Sequence, residues 1–267
     1  MSRIGQVFEN LKLKGTGAAF IPYVTVGYPS VDATMEAVSL LEECGAEIIE
    51  LGVPFSDPMA DGLTIQHASH EALRNGITPA RCLEVAALLR NRVKLPLVFM
   101  TYYNPVLSYG VKRFCADCEN AGVDGLIVPD LPPEEAEDLA LAACNHGIDL
   151  IFLLAPTSTD ERIAEVARYS SGFLYLVSVT GVTGARERLP EGLAEFVARV
   201  RRFTPLPLCV GFGISSPEHA KEVARVADGV IVGSRIVEIM GSGEGYAPLL
   251  SRFARKLKAA VSRSAPV

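Results

Sequence analysis

No apolar run in this 267-residue chain reaches the roughly 18 residues that a membrane-spanning helix needs. The opening MSRIGQVFENLKLK also lacks the apolar core of a secretory signal, so the cytoplasm is the expected compartment. Positive charge is scarce, with 25 Lys and Arg against 31 Asp and Glu and a net charge of −6. That balance opposes non-specific nucleic-acid binding, in which clustered cations must displace the counterions of phosphates. Arg252, Arg255, Lys256 and Lys258 have the spacing of a solvated helix face. The six cysteines are scattered and form no disulfide framework. Cys115 and Cys118 make a CxxC, but GVKRFCADCENAG reads as a helix in which both are small packing residues, and no second Cys or His pair completes a metal site. His67 and His70 lack the HExxH pattern, so no metal is expected. There is no Walker-type GxxxxGK[ST] and no Ser or Cys nucleophile elbow. GTGAAF, from Gly15, is half of a dinucleotide fingerprint, but it precedes a strand instead of following one.

Apolar residues make up 49% and charged residues 21% of the chain, enough for a large core. Short apolar, β-branched runs recur: AFIPYVTV from Ala19, EIIELGV from Glu47, LPLVFMT from Leu95 and DGLIVPD from Asp124. IDLIFLLAP from Ile148, GFLYLVSVT from Gly172, LPLCVGFG from Leu206 and DGVIVGS from Asp228 complete the series. They are continuous in hydrophobicity, as parallel strands covered on both faces are. Amphipathic stretches lie between them, such as DATMEAVSLLEECGA with Gly45 past its end, and PPEEAEDLALAACNHG, which opens on prolines and acids and stops at Gly147. Eight βα units with no linker between them predict an α/β protein: a single-domain (β/α)8 TIM barrel over residues 1–267, with an extra N-terminal helix, SRIGQVFENLK, under its bottom. An open doubly wound sheet is the competing architecture.

In such a barrel chemistry sits where strands end and βα loops begin. Glu50 is a carboxylate among Ile48, Ile49, Leu51 and Val53, and burial there raises its pKa toward the range useful for proton transfer. An inward-facing structural glutamate is the alternative. Asp61 follows on a loop with Pro54, Asp57, Pro58 and Gly62, where turn chemistry alone explains an aspartate. Its pairing with Glu50 is what raises its interest, since two carboxylates in different environments divide the roles of proton carrier and charge stabiliser. GFGISSPEHA from Gly211 and VGSRIVEIM from Val232 each place glycine between a strand end and a helix start, after the seventh and eighth strands, where barrels commonly hold a phosphate. VTGVTGARER, from Val179, is a third glycine loop, a candidate lid or a plain surface loop.

These pieces resemble the tryptophan synthase α-subunit family: PYVTVGYPS, ELGVPFSDPMADG, TYYNP, VPDLPPEE, SVTGVTGAR, GFGISSPE and VGSRIV stand in family order over nearly the whole chain. The resemblance implies a lyase that cleaves indole-3-glycerol phosphate to indole and glyceraldehyde 3-phosphate, with no cofactor in this subunit. It implies Glu50 as the acid/base and Asp61 as the carboxylate that meets the indole N–H. Tyr175 matches a residue near the glutamate, and Gly184, Gly213, Gly233 and Ser234 match phosphate-binding positions. By the same resemblance Phe212 would line the indole pocket, with Tyr23, Met100 and Tyr102 beside it, and Thr183 would meet the loop aspartate. The implied partner is a β subunit that carries pyridoxal phosphate in an αββα complex, facing Asp57, Asn104 and Pro132. Turn chemistry also accounts for Asp57 and Pro132.

The chain departs from the family pattern at Leu63, where proline usually follows the Asp-Gly pair. Loss of that proline is expected to loosen the loop and to change rate or coupling without abolishing activity. Two rivals follow from these readings: another phosphate-binding barrel, such as an isomerase of tryptophan or histidine biosynthesis, and a regulatory subunit of impaired activity. Only Leu63 favours the second.

Overall fold

The computed structural model describes residues 1–177, 192–211 and 213–262. All strand pairings in its sheet are parallel, in the order β5-β4-β3-β2-β1-β9-β8-β7-β6. The strands are β1 (Ala19–Thr25), β2 (Ile49–Gly52), β3 (Leu97–Met100), β4 (Gly125–Ile127), β5 (Asp149–Ile151), β6 (Leu153–Leu154), β7 (Leu174–Val177), β8 (Leu208–Gly211) and β9 (Gly229–Val232). Each falls inside one of the apolar runs.

The run IDLIFLLAP divides where one strand is expected. Its first half, β5, pairs with β4, and its second half, β6, pairs with β7. Phe152 is the hinge between them, and its carbonyl already accepts Tyr175 N–H at 3.1 Å. The two ends of the sheet order are therefore one stretch of chain, and the ring closes with eight strand positions. This is the TIM barrel and not the open sheet.

Helices cover the outside because their sequences start and stop cleanly. In α2 (Val31–Glu43) the Ser30 hydroxyl accepts Ala33 N–H at 3.1 Å, and Gly45 follows with φ 93°. Two helices follow β2, namely α3 (Leu63–Arg74) and α4 (Pro79–Arg90), and two follow β3, namely α5 (Tyr103–Tyr109) and α6 (Val111–Ala121). Cys115 and Cys118 are buried on α6, as packing residues. The PPEEAEDLALAACNHG stretch forms a 3-10 turn, Pro133–Glu135, and then α7 (Glu137–Asn145). The later helices are α8 (Asp160–Tyr169), α9 (Leu193–Arg201), α10 (Pro217–Ala224), α11 (Ser234–Met240) and α12 (Tyr246–Val261). Among the described residues no helix is long and apolar enough to cross a membrane.

The N-terminal helix α1 (Arg3–Lys14) closes the bottom, the end where strands begin. Its Ile4 and Phe8 are buried, and Phe8 meets Phe173, just ahead of β7, edge to face at 6.0 Å. Ile4 reaches Gly125, the first residue of β4, so closely that a Cβ there would lie 2.9 Å from Ile4 Cδ1.

Candidate active site

Glu50 is the second residue of β2, in register with Tyr23 on β1 and Val98 on β3. It is 1% exposed, and its Oε2 has no hydrogen-bond partner among the described residues. Burial, and then the charge of Asp61, push its carboxyl up to about 8. At neutral pH Glu50 therefore holds a proton.

Asp61 arrives from the loop after β2 and is also buried. Its backbone is fixed at both ends: Asp61 N–H donates to Pro58 O at 3.1 Å, and Gln66 Nε2 donates to Asp61 O at 2.9 Å. The Tyr102 hydroxyl donates to Asp61 Oδ2 at 3.2 Å and accepts Ala60 N–H at 2.9 Å, so one phenol clips side chain and loop together. Burial raises the Asp61 carboxyl to about 6, and the Tyr102 bond opposes that rise. It is ionised at pH 7 while its neighbour is not, the separation that acid/base chemistry needs.

Two tyrosines complete the inner wall. Tyr23 and Tyr175 are buried, and the charges of both Glu50 and Asp61 add to burial in raising their phenols well above the usual range. Each ring occupies space that a glycine leaves free. A Cβ on Gly52 would stand 2.0 Å from the Tyr23 hydroxyl, and one on Gly211 would stand 2.2 Å from that of Tyr175.

These side chains surround one cavity at the C-terminal ends of the strands, about 620 Å³ with its open mouth included. Tyr23, Glu50, Asp61, Met100, Tyr175, Gly213, Gly233 and Ser234 all line it. Gly213 has φ 78°, a backbone shape that side chains resist, and Ser234 opens α11. The sequence reading did not single out Ile65, Ile214, Ser215, Ile231, Arg235 or Glu238, which line the cavity as well. Tyr102 is placed differently from the apolar lining expected of it: its ring packs on Phe55, centroids 5.2 Å apart, and its hydroxyl stands behind Asp61. Thr183, Gly184 and Phe212 lie outside the described residues, as does the whole VTGVTGARER loop. Among the described residues no group of three or more His, Cys, Asp or Glu is arranged to hold a metal ion.

The cavity brings Glu50, Asp61 and the glycine turns at Gly213 and Gly233 into one hollow. A family model described as tryptophan synthase alpha chain matches residues 8–262. The chain belongs to the tryptophan synthase alpha chain family. The tryptophan synthase alpha chain of Dehalococcoides mccartyi is 57% identical over 240 residues, covering 90% of this chain and 92% of that one. A chain in a structure of Mycobacterium tuberculosis tryptophan synthase superposes with TM-score 0.92 at 42% identity, covering 98% of this chain and 99% of that one. In the aminoacrylate- and BRD0059-bound form of the same enzyme the match has TM-score 0.90 at 40% identity, with 98% and 99% covered.

On this alpha chain Asp57 and Asn104 are exposed and Pro132 is half-buried, all on loops or helix starts that follow strands. Asn104 borders a surface groove with Pro54, Phe55 and Ser56, which precede Asp57. Asp130, two residues before Pro132, accepts the first amide of α5, Tyr103 N–H, at 2.9 Å, so the three loops adjoin at the barrel's mouth.

Proposed function

We propose that this alpha chain cleaves indole-3-glycerol phosphate through Glu50 and Asp61. The observation that carries the assignment is the split between the two carboxyls, one pushed up to about 8 and one to about 6, at the wall of a shared cavity.

The reaction moves one proton from a hydroxyl oxygen to a ring carbon while a carbon–carbon bond breaks. Glu50, protonated, gives its proton to the indole carbon that bears the glycerol chain. Aromaticity is lost and positive charge collects on the ring nitrogen, where the fixed anion of Asp61 accepts the N–H and stabilises it. The bond to the chain then breaks and its electron pair restores the ring, releasing indole. The carbon left behind becomes the aldehyde of glyceraldehyde 3-phosphate, and its hydroxyl proton passes to the Glu50 carboxylate, which is thereby restored. Ile65, Met100 and Ile231 give the ring an apolar seat, and the turns at Gly213, Gly233 and Ser234 receive the phosphate with backbone amides.

No cofactor enters this scheme. The partner is a β subunit carrying pyridoxal phosphate, docked on the mouth at Asp57, Asn104 and Pro132, and its support is the likeness to chains of M. tuberculosis tryptophan synthase, including an aminoacrylate-bound form. Indole released from purified protein, with and without β subunit, tests the reading. Glu50→Gln is expected to lower the rate by about 10³-fold or more and Asp61→Asn by about 10²-fold. Absence of indole from the wild-type chain with its partner present would instead favour the regulatory role.

A further inference from the structure

Two side chains of the cavity lining, Arg235 and Glu238, have no part in the scheme above. Arg235 follows Ser234 on α11, half exposed, and its Nη1 donates to Glu238 Oε2 at 2.9 Å. Glu238 in turn accepts the Thr64 hydroxyl at 3.4 Å, tying α11 to α3, the helix that begins two residues after Asp61. Arg235 and Glu238 line the same hollow as Glu50 and Asp61.

The charges around that hollow make the arginine informative. Its described lining contains three carboxyl groups, on Glu50, Asp61 and Glu238, and Arg235 is the one cation among them. A phosphate monoester brings nearly two negative charges at neutral pH. Backbone amides at the glycine turns donate hydrogen bonds but no net charge, and the ionised carboxylates repel the newcomer. A guanidinium offers planar, paired donors to phosphate oxygens and keeps its charge at every working pH.

We infer that Arg235 is a direct ligand of the substrate's phosphate group, held at the mouth by Glu238 until the phosphate replaces it as partner. The inference rests on the lyase reading and adds to it a side chain that selects for a dianionic substrate. The exchange is easy, because a half-exposed pair three residues apart on a helix is weak and screened by salt. Glu238 stays in place when the arginine leaves, since Thr64 still donates to it. It thus discourages anions that cannot hold the guanidinium.

Steady-state lysis of indole-3-glycerol phosphate, and its inhibition by glycerol 3-phosphate and by uncharged indole, test this on the full-length chain. Arg235→Met is expected to raise KM, and the inhibition constant for glycerol 3-phosphate, about tenfold, with the loss falling on KM and not on kcat. The indole constant stays put, and Arg235→Lys recovers part of the loss. Glu238→Gln lowers KM and the glycerol 3-phosphate constant about twofold. The inference is overturned if Arg235→Met leaves the glycerol 3-phosphate constant as it was, or weakens indole equally, which would signal a repacked mouth. Glu50→Gln in the same assays separates the two readings. Lysis that survives Glu50→Gln removes the lyase mechanism itself, whereas lysis lost there with an unchanged glycerol 3-phosphate constant in Arg235→Met removes only the arginine's role.

Discussion

At the bottom of the barrel Glu47, Asp124 and Asp228 precede β2, β4 and β9, and each accepts an amide from the first two residues of a neighbouring strand. Phe20 N–H donates to Glu47 at 2.8 Å, Leu97 N–H to Asp124 at 2.9 Å and Leu208 N–H to Asp228 at 2.8 Å. Each also faces a cation: Lys258 for Glu47, Arg3 and Arg90 for Asp124, and Arg201 for Asp228. At the top, Glu50 and Asp61 are at least as deeply buried but have no ion-pair partner among the described residues. Burial pushes Glu47 and Asp124 up as well, yet cation and amide pull both back, whereas everything that acts on Glu50 pushes the same way. One kind of side chain thus serves as a joint at one end and, in the proposed mechanism, as a reagent at the other, and the difference lies in charge compensation.

Removing the charge at each end exposes the contrast most strongly. A carboxyl whose folded-state pKa lies above its unfolded value costs no stability below the unfolded value. The cost grows as pH rises between the two and is complete above the folded one. For Glu50 that window runs from 4.5 to about 8. Glu50→Gln is therefore expected to raise folding stability at pH 9 by on the order of 3 kcal/mol while it destroys activity. Asp124→Asn should gain less, because Arg3, Arg90 and the Leu97 amide already offset part of the burial cost of its charge, with kcat nearly intact. Urea melts at pH 6 and pH 9, together with indole release, check both; a Glu50→Gln protein destabilised at high pH would break the comparison.

The pH dependence of kcat/KM sharpens it next. With Glu50 protonated and Asp61 ionised in the working form, the profile is expected to be a bell with limbs near 6 and 8 that belong to the coupled pair. Since the Tyr102 hydroxyl holds the Asp61 charge down, Tyr102→Phe should move the acid limb upward and leave the basic limb in place. A shift of the basic limb instead would mean that the phenol acts on Glu50.

How much of this could be read beforehand follows from what each feature depends on. The eight apolar runs mark strands because parallel strands are covered on both faces, so burial writes itself into every residue. Glu50 was legible as an acid inside such a run, and Gly213 and Gly233 as glycines between a strand end and a helix. Contacts across the barrel were not. The reason for Gly52 and Gly211 lies in tyrosines on neighbouring strands, and the Tyr102 hydroxyl finds Asp61 from 41 positions away. Arg235 and Glu238 have the spacing of an ordinary surface pair, and only closure of the barrel turns them toward the cavity. The break at Phe152 belongs to closure too, since a strand that must serve two neighbours at once gives no sign of it in hydrophobicity.

Leu63 is where the smallest effect is expected. It is the first residue of α3 and 79% exposed, so its side chain buries nothing that proline would forfeit. Proline is well suited to the first helical position, where the missing N–H is not needed, and the preceding Gly62 already has the extended backbone (φ −81°, ψ 168°) that a following proline demands. Leu63→Pro should therefore stabilise the fold by about 0.5 kcal/mol, chiefly by restricting the unfolded chain. The loosening of Asp61 expected from the absence of proline has three bonds against it, from Tyr102, Gln66 and Pro58. The rate change on restoring proline should accordingly stay within about threefold, since no contact of the reacting groups is altered. A larger gain in kcat, or in activation by the β subunit, would show that the loop's stiffness and not these bonds sets the position of Asp61, and would make the mouth of the barrel softer than its bottom in a way that static contacts do not reveal.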